Sequence, residues 1–90
     1  MALTIKPIAA ETTLNGSGNA SNLSSSTHVV VINQDASNCH QITRNNASDV
    51  TLGSFTMAQS AMAVVVKERT DKLFASDAAI KFTAIAATGY

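Results

Sequence analysis

Apolar positions along this chain fall in short runs, separated by clusters of Gly, Asn, Ser and Asp. In residues 3–8, Leu3 and Ile5 alternate with Thr4 and Lys6, the period of two expected of a half-buried strand. Pro7 lacks an amide donor, so this strand belongs at a sheet edge or ends there. Residues 15–26, NGSGNASNLSSS, combine two Gly with many short polar side chains, which favours a flexible polar loop over a ladder. Residues 28–34, HVVVINQ, are a short apolar run that fits a strand buried on both faces. A turn at 35–38 leads to a weaker alternating strand at 39–44, with Ile42 as its apolar residue, and 45–49 is another turn. The pattern then predicts two paired strands, 50–57 and 62–69, joined around 58–61. A short strand at 72–75 follows, and 80–86 closes the chain with Ile80, Phe82 and Ala84 on one face.

Helical periodicity is weak even at its best. In 57–66 apolar residues fall on every side, and the stretch runs into the β-branched triplet Val64-Val65-Val66. The expectation is therefore all-β: one domain over 1–90, a small antiparallel β-sandwich or barrel of six to seven short strands. Its buried positions are expected at 29–32, at Phe55 and its neighbours, at 64–66 and at 80–82.

Composition makes that core a small one. Of the 90 residues 46% are hydrophobic, yet fifteen are Ala, and Val, Ile, Leu and Phe together number 21. That lies just above the roughly 20% below which chains tend to stay disordered. There are three Phe, one Tyr (Tyr90) and no Trp, so few large anchors offset roughly 1–2 kcal/mol of backbone entropy per residue. One Cys excludes an intramolecular disulfide framework, and no Cys cluster indicates zinc.

Charge narrows the partners. Six basic and six acidic residues cancel, which leaves no electrostatic footprint for nucleic acid or an anionic bilayer. Charged residues are 13% of the chain, about half the usual share, and ten Ser, ten Thr and seven Asn take their place. A polar but uncharged surface gives a free monomer little colloidal protection, so the expectation is a homo-oligomer or a chain packed on a larger body. The longest strongly apolar run, 29–32, is far short of the roughly 20 residues that span a bilayer. The opening MALTIKPIAAETTL shows no basic region followed by a continuous apolar one, so export through a cleaved signal is not expected.

Candidate chemistry is sparse. Cys39 and His40 are neighbours on a predicted strand, so they point to opposite faces and cannot act as a nucleophile–base pair. His28 could approach Cys39 across a hairpin, but nothing orients it; Cys39 reads as a small, partly buried apolar residue. His28 and His40, with Asp35 between them, match no compact metal-site spacing, and hydrogen bonding is their expected use. The Asn15–Asn19 string NGSGN lacks the Lys-Ser/Thr and following helix of a phosphate loop. Sequons at Asn15, Asn19, Asn22 and Asn46 matter only in a secreted eukaryotic protein. No catalytic residue, cofactor or metal is expected.

One cluster stands out. Lys67, Glu68, Arg69, Asp71 and Lys72 are five of the chain's twelve charged residues within six positions. They read either as a solvated corner between strands, with pairs worth about 0–1 kcal/mol each, or as a subunit interface whose mixed charges set register.

From this cluster outward, residues 50–90 resemble the C-terminal half of small virion proteins from tailed phages, especially those infecting marine cyanobacteria. The matching residues are Thr51-Leu52-Gly53-Ser54-Phe55-Thr56, Val65-Val66-Lys67-Glu68, Thr70-Asp71, Leu73-Phe74-Ala75-Ser76 and Ile80-Lys81-Phe82-Thr83; the opening Leu3-Thr4-Ile5-Lys6-Pro7-Ile8 is similar in style. The resemblance implies a β-rich structural component of the particle with no enzymatic residues. The implied partners are the major capsid protein or other virion proteins, and the implied location is the virion, assembled in the host cytoplasm. A decoration or cement protein on the capsid lattice is the leading expectation. A neck or tail component is the alternative, and a bacterial or fibre adhesin or carbohydrate-binding module is a further one, though it would want exposed aromatic platforms.

Overall fold

The computed structural model describes residues 5–86. It is all-β, with seven strands in two antiparallel sheets packed as an open sandwich. β1 (Thr12–Thr13), β7 (Ile80–Ile85), β2 (His28–Asn33) and β5 (Met62–Val66) form a four-stranded sheet in that order. β4 (Thr51–Met57), β3 (His40–Asn45) and β6 (Lys72–Ala75) form the other. Four of the six links between consecutive strands cross from sheet to sheet, and only β3–β4 is a hairpin between neighbours. Its turn is built by Asn46, whose Oδ1 accepts the amides of Ser48 (2.9 Å) and Val50 (3.0 Å).

Alternation fills the core from both sheets. Val29 and Val31 of β2, Ile80, Phe82 and Ala84 of β7, Ile42 of β3, and Leu73 and Ala75 of β6 are all buried in one cluster. The expected faces of β7 and β3 are thus present. Val30 sits on the outer face of the four-stranded sheet, paired with Val64 and Thr83, and is buried there, while Ile32 on that face is half-buried.

Two expectations about β4 and β5 are overturned. Strands 50–57 and 62–66 do not pair with each other: β4 pairs with β3, and β5 with β2. The link at 58–61 has no Asn-Gly or Asp-Gly to fold a tight hairpin. It arches between the sheets instead, clamped by buried Asn33, whose Nδ2 donates to the carbonyls of Met57 (3.4 Å) and Ala58 (3.2 Å). Burial at Phe55, Val64 and Val66 is also absent: Phe55 is 40% and Val66 64% exposed, because β4 and β5 are the outermost strands of their sheets.

The segment expected to be a flexible loop is docked. Ser17–Asn19 is a short 3-10 turn, and the chain on either side runs along the free edge of β6. The Ala75 amide donates to the Leu14 carbonyl (2.8 Å), Gly16 to Ala75 (2.8 Å), and Ser21 and Leu73 exchange amide–carbonyl bonds (3.2 and 2.9 Å). Leu14 and Leu23 anchor it by burying their side chains in the core. β1 was not anticipated; it lines the other side of β7, at Phe82 and Lys81. The strand expected at 3–8 lies partly outside the described residues. Its described part runs beside the end of β7, where Pro7 bridges Ile85 and the Ile8 amide donates to Ala84 (2.9 Å).

The consequence is asymmetry. Residues 12–21 close one flank of the sandwich, while β4 and β5 leave the opposite flank open.

Candidate functional site

The charged corner forms where the chain leaves β5 and crosses to β6. Its backbone folds tightly, with the Asp71 amide donating to the Glu68 carbonyl (3.0 Å) and the Glu68 amide to Asp71 Oδ2 (3.1 Å). That turn carries two of the five side chains inward. Lys67 is buried, and its ammonium donates to the carbonyls of Ser26 (2.6 Å) and Glu68 (3.2 Å). Burial pushes its pKa down from the usual lysine value, and the nearby Asp71 carboxylate opposes that shift. Asp71 is buried too, and accepts a hydrogen bond from the Arg44 guanidinium at 2.6 Å. Lys67 and Asp71 therefore belong to the protein's own packing. Glu68 and Arg69 face solvent, and Lys72 pairs with Asp49 across the edge of the three-stranded sheet (3.1 Å).

Arg69 shares a shallow pocket with Ile8, Ser24, Ser25, Ser26, Thr27, Ile85 and Ala86. The corner, the polar loop and the N-terminal segment, far apart in sequence, thus meet at one end of the sandwich. Leu23, Ser24 and Ser25 all have positive φ (54°, 61° and 56°), a left-handed turn closed by the Ser26 amide on the Leu23 carbonyl (3.2 Å). The Ser26 hydroxyl is buried with no partner among the described residues.

The opposite end holds the titratable candidates. Asp35 follows β2, and its carboxylate accepts the amides of Ser37 (2.9 Å) and Asn38 (3.1 Å), the Asn38 side-chain amide (3.3 Å) and His40 Nε2–H (2.9 Å). The Ser37 amide first, then His40, hold its pKa down at about 2. Asp77 stands 3.9 Å from the same imidazole nitrogen. Cys39 is exposed, contrary to its expected partial burial, because it lies in the arch just before β3 rather than within a strand. Its thiol meets Gln59 Oε1 (3.4 Å), so the sulfur and the His40 imidazole serve different partners. His28 stands at the far end of β2, separated from the His40 end by about 17 Å of strand, and its Nδ1 shares a hydrogen bond with Thr27 Oγ1 (2.9 Å). Among the described residues no group of three or more His, Cys, Asp or Glu could hold a metal ion. What this end does is fold the β2–β3 arch.

The open flank carries most of the exposed apolar side chains. Between β4 and β5 a cleft of about 140 Å³ reaches toward the core, lined by Ile42, Phe55, Val65 and Leu73, with Arg44 and Gly53 at its rim. Of seven large exposed hydrophobic side chains among the described residues, six lie here: Val50, Leu52, Phe55, Met62, Val64 and Val66. No Asp, Glu, Lys or Arg occurs between Asp49 and Lys67. Edge strands of free-standing domains are commonly blunted by charge, Pro or bulges. Here the only irregularity is a register shift between Arg44 and Asn45, at the start of β4. Sequence reasoning missed this flank, although its signal, the uncharged stretch from 50 to 66, is plain in the chain.

Comparison with known protein families, with characterised proteins and with solved structures finds no match for this chain.

Proposed function

We propose that this protein is a non-enzymatic structural component of a tailed-phage particle, binding the capsid lattice as a decoration or cement protein. The observation that carries this reading is the open flank: two adjacent, uncharged, apolar edge strands that a protein working alone would leave exposed to aggregation. A chain built this way works covered by another chain. The neutral, Ser-, Thr- and Asn-rich surface supports the reading, because it suits dense packing better than free solution. So does the resemblance of 50–90 to small virion proteins. In this reading the solvent-facing Glu68 and Arg69 are the members of the corner free to set register against a neighbouring subunit, with Lys72 held in its solvated pair with Asp49.

The test is the protein content of purified particles from the phage that encodes the chain. A fixed ratio to the major capsid protein supports lattice binding. A low copy number matching a ring moves the protein to the neck or tail, and absence from particles overturns the proposal.

A further inference from the structure

The outer edge of β5, which has no partner strand among the described residues, has a symmetry of its own. Its ladder with β2 is bracketed by two hydrogen bonds, from the Lys67 amide to Thr27 and from the Asn33 amide to Ala61, each 2.9 Å. Antiparallel ladders alternate, so the backbone groups of Ala63 and Val65 point to β2, and those of Met62, Val64 and Val66 point to solvent. These three residues are symmetric about Val64. We infer that β5 is the seam of a homodimer, pairing antiparallel with β5 of a second copy about a twofold axis at Val64. The inference rests on reading the chain as an assembly component, and it names the partner of one strand of the open flank, β5.

Register follows without adjustment. Val64 faces its own counterpart and Met62 faces Val66 of the second copy, so all six outward-pointing backbone donors and acceptors on each strand are paired at once. The four-stranded sheet becomes eight-stranded, in the order β1-β7-β2-β5 and its mirror. Side chains agree with the backbone. Met62, Val64 and Val66 lie on the outer face beside Ile32 and Val30, so the seam joins two apolar strips, each two strands deep.

Charge permits a partner of the same sequence. A twofold sets like against like near its axis, and a charged residue there would meet itself; β5 and its flanking arch carry none. β4 is the poorer seam. Gly53 interrupts it, and the register shift at Arg44–Asn45 distorts its start.

The experiment is sedimentation velocity on the full chain over a concentration series, with two lysine variants and far-UV circular dichroism to confirm folding. The wild type should sediment as a dimer that dissociates on dilution. Val64→Lys should raise the dissociation constant by more than about 100-fold, because the twofold brings the two ammonium groups together. Leu52→Lys on β4 should stay dimeric. In a Cys39→Ala background, Val64→Cys should oxidise to a covalent dimer, since directly opposed residues lie about 5.5 Å apart, within disulfide reach. A wild type that is monomeric throughout, or a dimer lost in Leu52→Lys and kept in Val64→Lys, overturns the pairing. Particle occupancy separates the two proposals: a monomer found on particles overturns the seam alone, and a dimer absent from them overturns the structural role alone.

Discussion

The Arg44 guanidinium and the Asp71 carboxylate meet at 2.6 Å, and that contact turns the charged corner into the protein. Removing Asp71 strands a partly exposed Arg44 and frees the Glu68 amide, which Asp71 also caps. A fully buried pair loses about 3–5 kcal/mol when one partner is deleted. With Arg44 about a third exposed, Asp71→Ala should cost about 2–3 kcal/mol after discounting for solvent. Lys72→Ala, which breaks a solvated pair, should cost under about 1 kcal/mol. Urea unfolding at neutral pH checks both, and equal losses would place Asp71 at the surface.

Acid should weaken the β2–β3 arch through Asp35. Its folded pKa of about 2 lies below the ordinary 3.8, so the charged form is the one that folding favours. Its stabilisation is present in full above the unfolded value and disappears as pH falls through about 2. The stability difference between wild type and Asp35→Asn should therefore be constant near neutrality and shrink between pH 4 and pH 2. A gap that persists at pH 2 would mean that the carboxylate's charge is irrelevant to the arch.

Phe82 and Phe55 should behave oppositely. Phe82 is fully buried in the core cluster, and truncating it to Ala should cost about 3–5 kcal/mol, a large part of a small domain's stability. Phe55 sits on the open flank, and Phe55→Ala should cost under about 1.5 kcal/mol, in keeping with its partial exposure. Thermal melts of the two variants separate the cases.

That contrast shows what the chain made legible. Strand positions were readable because alternation and turn residues are local signals; Ile80, Phe82 and Ala84 share a face as their spacing requires. Pairing was not, because the partner of β5 depends on whether 58–61 folds back or arches, and the side chain that decides it, Asn33, lies 24 residues from Met57. The exposure of Val64 and Val66 is not legible either: apolar character shows that a residue wants cover, not that its own chain supplies it. The docking of 14–21 on β6 rests on backbone hydrogen bonds, which leave no mark in side-chain composition, and on Leu14 and Leu23, isolated leucines that set no strand period. Of the corner, the sequence located the charges but not their direction, which Lys67 and Asp71 take from the turn.

Ser26→Ala should leave stability unchanged or raise it by up to about 1 kcal/mol, because the buried hydroxyl has no partner among the described residues to lose. Chemical denaturation decides this, and a loss above about 1 kcal/mol would reveal a partner for that oxygen.

The β5 edge can be read directly by amide hydrogen exchange. In an isolated molecule Ala63 and Val65 are protected by β2, while Met62, Val64 and Val66 donate only to water. We expect the amides of Val64 and Val66 to become as protected as that of Val65 when the concentration rises through the dimerisation range, with Ala63 and Val65 unchanged. If Val64 exchanges equally fast in dilute and concentrated protein, β5 is not covered by a second copy.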